Sequence, residues 1–426
     1  MPATGAPGTA ASATRLWNVA GIPSYLVSNS ADRFADALLN LGLAWAAAQT
    51  GGALSATAVL AAGSVPRLVV LLAGGALGDR YGLLRLATLT LMVRIALMGV
   101  FAWALTAPTH PSGWVLAACA VGFGVADGAH LPAMTGLSAL LVRGQMVVAA
   151  QGFVGAATEV AEILAAPAAG LLLAWRPISL AGVCTVLLLV SLACLGLVRK
   201  RARGVASRRD HPDVRDEGSG LRARPATLLQ EVREGLQGAL ATPGVRRALG
   251  VFVAANLAGT APLLAGIPLR VTAEGWGAGA YGVVAAGLAV GSVVGLLALT
   301  RWDNRVTRAP LQVAGFLLLP GAIGVAGLTL APTVLTMAAA AALVGLCFGP
   351  GARMVVGGIM RDTETPMMGR TVALVQFATY SGIPLGYVLY GAVANVSLAA
   401  AGLIMAAVLL VCGLVAARDV SPTRPA

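Results

Sequence analysis

Apolar stretches long enough to cross a hydrocarbon core, about 20 residues each, recur along this chain. They lie near residues 17–48, 54–77, 84–106, 112–133, 147–174, 177–198, 247–269, 277–300, 309–330, 333–352, 371–393 and 396–417, twelve in all. A bilayer offers no water to unpaired backbone groups, so each stretch is predicted to be a helix. Between the sixth and seventh lies the one long polar stretch, residues 199–225, which reads as a flexible linker. Leu228, Val232, Leu236 and Leu240 then recur at intervals of four, the spacing of a short amphipathic helix on the membrane surface. The pattern divides the chain into a tail (1–16), a first six-helix bundle (17–198), a linker (199–246), a second six-helix bundle (247–417) and a second tail (418–426). The halves share punctuation. Pro132, expected to end the fourth helix, and Pro350, near the end of the tenth, are 218 residues apart, and Pro167 and Pro384 are 217 apart. Such offsets suit a duplication in parallel orientation. The expected fold class is an all-α membrane protein, twelve transmembrane helices in two pseudo-symmetric six-helix bundles.

Composition agrees: 58% of the 426 residues are hydrophobic and only 11% are charged, which excludes an ordinary soluble domain. The net charge of +12 sits in a few loops and is no nucleic-acid signature. Of the 29 basic residues, 24 fall at or near one membrane side, among them Arg80, Arg85, the twelve between 199 and 247 and Arg353, while Arg176 and Arg270 fall on the other. The positive-inside rule then places both termini and the linker in the cytoplasm of a multi-pass cell-membrane protein. No cleavable signal peptide is expected, because the first apolar segment is too long. Cys119, Cys184, Cys194, Cys347 and Cys412 all fall inside predicted helices without paired spacing, and read as small core hydrophobes. No nucleotide-binding loop, metal-ligand cluster or nucleophile–base set stands out, so neither enzyme chemistry nor a cofactor or metal is expected.

The informative exception to the apolar pattern is charge at mid-depth: Asp32, Arg33 and Asp36 in the first helix, Arg67 in the second, Arg94 in the third, Glu159 and Glu162 in the fifth. Each such charge costs at least about 2.5–3.5 kcal/mol, so these residues are expected to face a partner or a cavity. Four carboxylates oppose three arginines that do not deprotonate, leaving one carboxylate neutral, solvated or transiently paired. Glu159 and Glu162 share a helix face and repel, which makes them, with Asp36, the expected proton-coupling groups; the alternative is that Arg67 and Arg94 neutralise them. Asn29, Arg33, Asp36 and Asn40 lie on one face of the first helix and are read as facing substrate. Asp32, Arg67 and Arg94 are read as structural ion pairs, with Arg94 on a peripheral helix. Asp127 and His130 are expected at the cytoplasmic boundary of the fourth helix, as an exit relay or a plain surface pair. Asn256, Thr260, Gln376 and Tyr380 are candidate hydrogen-bonding groups for substrate, or ordinary helix–helix contacts.

Between the second and third helices runs Gly75-Ala76-Leu77-Gly78-Asp79-Arg80-Tyr81-Gly82-Leu83-Leu84-Arg85. This resembles the G-x-L-x-D-R-x-G-x-x-R signature of the major facilitator superfamily. Arg33 to Asp36, the Pro66-Arg67 pair, the EVREGLQGALATPGVRRAL segment and Pro366 to Arg370 extend the likeness to the twelve-helix drug-efflux branch that includes macrolide and siderophore exporters. The Arg-containing motif of helix four found in many proton-driven drug antiporters is missing, with Asp127 in that helix, and the G-P-x-x-G antiporter motif survives only as Ala166-Pro167-Ala168-Ala169-Gly170. The resemblance implies that Gly75, Asp79, Arg80, Gly82 and Arg85 form a gating motif whose Asp79 meets the start of helix eleven, with capping of helix three as the plainer alternative. It also implies proton-coupled efflux of amphipathic drugs or antibiotics by a monomer. The expected partners are the lipid bilayer, a small-molecule substrate and protons. Transport of one specific metabolite or siderophore is the alternative, and a non-transporting membrane sensor a remote one.

Overall fold

The computed structural model describes residues 21–106, 112–141, 146–207, 243–301, 309–361 and 368–418. Among them are twelve long helices and no strand. The first six are α1 (Ile22–Ala48), α2 (Ala53–Tyr81), α3 (Leu83–Thr106), α4 (Gly113–Leu141), α5 (Met146–Trp175) and α6 (Pro177–Ser207). α7 begins as Pro243–Ala261, widens into a π turn at Pro262–Gly266 and continues as Ile267–Ala273. There follow α8 (Gly277–Arg301), α9 (Pro310–Leu330), α10 (Val334–Arg361), α11 (Met368–Ala394) and α12 (Leu398–Ala417). The expected amphipathic helix and both tails lie outside the described residues.

Ten of the twelve are long and apolar enough to cross a membrane. α1 is not among them because it carries Asp32, Arg33 and Asp36, and α11 is interrupted by Gln376, Thr379, Tyr380 and Ser381. α1 is also largely enclosed by its neighbours, so its polar groups meet protein rather than lipid. Exposed Trp103, Trp114 and Trp175 collect where α3, α4 and α5 end or begin, away from the linker, as an interfacial aromatic belt does.

The packing repeats six helices on. α2 lies on α4 and α8 on α10; α3 on α4 and α9 on α10; α1 on α5 and α6, as α7 on α11 and α12; α3 on α6 and α9 on α12. The two broad contacts between bundles, α2 with α11 and α5 with α8, are themselves related by the same shift. This is the parallel duplication that the proline offsets suggested.

One sequence expectation needs correction. Pro132 does not end the fourth helix: it lies inside, as Pro350, Pro167 and Pro384 do in theirs. A membrane helix tolerates such prolines because neighbouring groups satisfy the freed carbonyls. α4 therefore runs on to Leu141, and Asp127 and His130 stand at its middle instead of at a boundary.

The bundles close on each other at the end opposite the linker. Gly170 of α5 and Gly282 of α8 meet backbone to backbone, so that a Cβ on either would overlap the other. Trp45 of α1 stacks on Tyr281 of α8 with centroids 5.4 Å apart. Gln49 Nε2, at the end of α1, donates to Thr272 Oγ1 at the end of α7 (3.1 Å), and Thr57 of α2 lies against Gly391 of α11.

Candidate functional site

At mid-depth the first bundle holds one ionic layer. Arg94, at the midpoint of α3 and fully buried, is its hub. Its Nη1 donates to Asp32 Oδ1 at 2.5 Å, its Nη2 pairs with Asp36, and its Nε lies 3.1 Å from Asp127 Oδ1. One planar guanidinium thus serves three carboxylates from α1 and α4, a task suited to a rigid fork of donors. Arg33 adds contacts to Asp32 (3.7 Å) and Asp36 (3.5 Å). Arg67 of α2 lies 3.9 Å from Asp127 and rests on the Tyr380 ring of α11, 4.7 Å from its centroid. His130, one turn beyond Asp127, sits between Thr90 Oγ1 (2.8 Å from Nδ1) and Asp32 Oδ2 (3.1 Å from Nε2). Asp32, Asp36, Asp127, Arg33, Arg94 and His130 are all buried. Within this layer three carboxylates face three guanidiniums and one imidazole.

The structure thus brings together residues read separately from the sequence. Arg94 is central, not peripheral: α3 packs on α4 and α6, and its side chain reaches inward to α1. On α1, Asn29 donates to Thr158 Oγ1 of α5 (3.2 Å), and Arg33 and Asp36 are engaged in the ion pairs, while Asn40 is half-buried. Across the seam, Gln376 and Tyr380 are half-buried, and Asn256 donates back to Phe252 O of its own helix (2.9 Å).

The helix-five carboxylates stand apart from the layer. Glu159 pairs across the seam with Arg353 of α10, and both remain open to solvent at 34% and 41% exposure. The sequence had assigned Arg353 to a membrane surface; its helix continues to Arg361, and its side chain reaches Glu159 instead. Glu162, one turn on, has no ion-pair partner among the described residues, and its electrostatic neighbours are Glu159, Arg33, Asp36 and Arg67. It shares its stripe of α5 with Ala166, which packs on Ala285 and Ala289 of α8, so the stripe faces the seam between bundles. A solvent-exposed pair such as Glu159–Arg353 is worth under about 1 kcal/mol. Glu159→Gln and Arg353→Gln are therefore each expected to leave folding intact while raising labelling of engineered cysteines at the linker end. The swapped pair Glu159→Arg with Arg353→Glu should return labelling to the wild-type level.

The signature segment is helical, where a loop was expected. α2 runs to Tyr81, and Gly82 alone makes the turn, at φ 83°, before Leu83 opens α3. A left-handed φ of that kind is what glycine permits. Arg80 and Arg85 are exposed, and Arg80 lies over the Tyr81 ring at 5.5 Å. The surroundings of Gly75 and the side chains of Asp79 and Arg370 lie outside what the structure describes.

Residues missed from the sequence are Asp127 and His130 as members of the layer, Thr90, and Arg353 as partner to Glu159. The Asp127–His130 spacing was a usable signal once α4 is extended through Pro132.

Two repeated six-helix bundles, closed at one end and carrying buried charge beside their seam, define a membrane transporter rather than an enzyme. The sequence profile of the Major Facilitator Superfamily matches residues 25–387, and the chain belongs to that family. Among solved structures, the crystal structure of a point mutant of the nucleoside transporter NupG is similar at a TM-score of 0.66 and 12% identity, covering 92% of this chain and 98% of that one. A point mutant of the peptide transporter POT in complex with sulfate gives 0.66 and 13%, covering 93% of each chain. An auto-inhibited POT family peptide transporter gives 0.61 and 16%, covering 95% of this chain and 99% of that one. At such identities the likeness is one of fold. No curated protein matches the sequence.

Proposed function

We propose that this protein is a proton-coupled secondary transporter that exports amphipathic, lipophilic compounds by alternating access. Glu162 carries the reading. It is a seam-facing carboxylate without a counter-ion among the described residues, beside a layer in which every other carboxylate is paired. Such a group is stable when protonated or when it meets a cationic substrate, and cannot hold both at once. That competition is the minimum needed for antiport. Of the three carboxylates considered from the sequence, Asp36 is tied to Arg94 and Arg33 and Glu159 to Arg353, which leaves Glu162 the freest. Asn40, Asn256, Gln376 and Tyr380, all half-buried, are the groups proposed to hydrogen-bond the cargo, and the apolar contact of Ala166 with Ala285 and Ala289 across the seam suits a lipophilic one. The basic excess of the linker supports cytoplasmic termini in the cell membrane, so the closed end faces outward. The signature at the turn of Gly82 supports a gate between α2 and the start of α11.

The test is substrate-driven proton flux in everted vesicles, screened across dyes such as ethidium, antibiotics and siderophores. Glu162→Gln is expected to reduce uphill movement of a responding compound to the level of vesicles lacking the protein, with downhill exchange retained. Uphill movement that survives Glu162→Gln with an unchanged pH profile overturns the assignment.

A further inference from the structure

We propose that Arg33 and Arg67 form a carboxylate-binding subsite at the seam, so that the cargo is an amphipathic zwitterion whose cationic end meets Glu162; its part in transport rests on the export reading above. The three arginines of the layer differ in what they hold. Arg94 lies 3.1 Å or less from Asp32, Asp36 and Asp127, and donates hydrogen bonds to the first two. Arg33 stands 3.5 Å from Asp36 and 3.7 Å from Asp32, and Arg67 stands 3.9 Å from Asp127. An N–H···O bond spans about 2.7–3.2 Å, so these are charge contacts and not hydrogen bonds. Among the described residues neither guanidinium has a hydrogen-bonded partner, and Arg67 Nε is sealed from solvent as well. Each guanidinium carries five N–H donors. Donors left idle at mid-depth are costly, and two such groups side by side suit an acceptor that arrives from outside the protein.

The two arginines share one place. Arg33 has Arg67 and Tyr380 among its electrostatic neighbours, and Glu162 has both arginines among its own. Their side chains keep 10% and 17% exposure, and Glu162 is exposed, so a ligand in the seam can touch all three. Tyr380 of the second bundle holds Arg67 through its ring face, a contact that occupies no oxygen acceptor. A carboxylate fits the pair: it is planar, offers two oxygens, and matches the fork of a guanidinium. Asp32, Asp36 and Asp127 keep Arg94 when Arg33 and Arg67 turn to such a ligand. The charge count then selects a zwitterion over a simple anion. Within the layer the three aspartates already match the three arginines, so a lone anion would add a second uncompensated negative charge beside Glu162. A zwitterion adds no net charge and brings a cation for Glu162. A plain cation would satisfy Glu162 and leave the donors of Arg33 and Arg67 idle.

The test is equilibrium binding to the protein in lipid nanodiscs, read by fluorescence anisotropy against empty nanodiscs. The probes are rhodamine B, a zwitterion with a free carboxylate, and its ethyl ester, a cation with the same ring system. The acid is expected to bind roughly tenfold tighter than the ester, the scale of one charge-assisted hydrogen bond. Arg33→Gln and Arg67→Gln should each bring the acid to the affinity of the ester and leave the ester unmoved. Arg33→Lys and Arg67→Lys, which keep the charge and lose the fork, should fall between. Should a Gln variant fail to fold, the wild-type comparison and the Lys variants still decide. Glu162→Gln should weaken both dyes alike and keep their ratio; if it weakens neither, Glu162 does not meet the cationic end. Equal affinities in the wild type, tighter binding of the ester, no saturable binding of the acid, or a preference that survives the arginine variants overturns the subsite. Transport is read separately: a preference lost in the arginine variants supports the subsite even where no uphill movement is found, and only the export reading then falls.

Discussion

Arg94→Gln removes most of the folded protein. Three carboxylates are left facing one another in the buried layer without their shared cation, and taking one partner out of a buried ion pair is worth about 3–5 kcal/mol. That is a large part of the 5–15 kcal/mol, roughly, by which proteins are held folded. Thermal unfolding of the detergent-purified protein is the measurement, with a midpoint far below wild type expected. Arg94→Lys should fall between the two, since one ammonium cannot bridge Asp32, Asp36 and Asp127 with directed bonds. Adding Asp127→Asn to Arg94→Gln should restore part of the loss, because the two residues interact. If Arg94→Gln unfolds within a few degrees of wild type, the layer is not integral to the bundle.

Gly282→Val should leave folding nearly unchanged and stop transport. The Gly170–Gly282 contact is where α5 and α8 come closest, and a branched side chain there meets backbone that has no room to yield. Closure at the end opposite the linker is thereby penalised and the reverse arrangement is not. The expected result is a population shifted toward opening at that end, read as a longer distance between spin labels where α1 and α7 finish, with turnover reduced to background. A wild-type distance distribution in Gly282→Val would mean that this contact does not hold that end shut.

Much of the fold was legible because the bilayer imposes it. Twelve apolar stretches, their division by the linker and the proline offsets between halves required only the rule that lipid does not hydrate backbone. The signature between the second and third helices was legible as a motif, but its continuation of α2 as far as a one-residue turn at Gly82 was not. What was not legible depends on rotation and register. Whether Arg94 looks outward or inward is a matter of which stripe of α3 meets α1, and Thr88 and Thr90, on different faces of an otherwise apolar stretch, do not decide it. Asp127 and His130 were placed at a boundary because Pro132 reads as a stop in water, where a helix loses more by carrying it. Arg353 was counted with the surface charges because residue number locates a Cα, whereas an arginine head lies several ångströms from its backbone.

The π turn at Pro262–Gly266 divides α7 by its neighbours. Its lower part docks on α11 and α12, and its upper part, through Thr272, is tied to Gln49 of α1. Pro262 and Pro268 each withdraw an amide proton from the ladder between them. α7 is therefore a jointed rod, so amide exchange at Leu263–Leu269 runs ahead of exchange in the segments on either side, and the lip beyond the joint swings while its base stays seated.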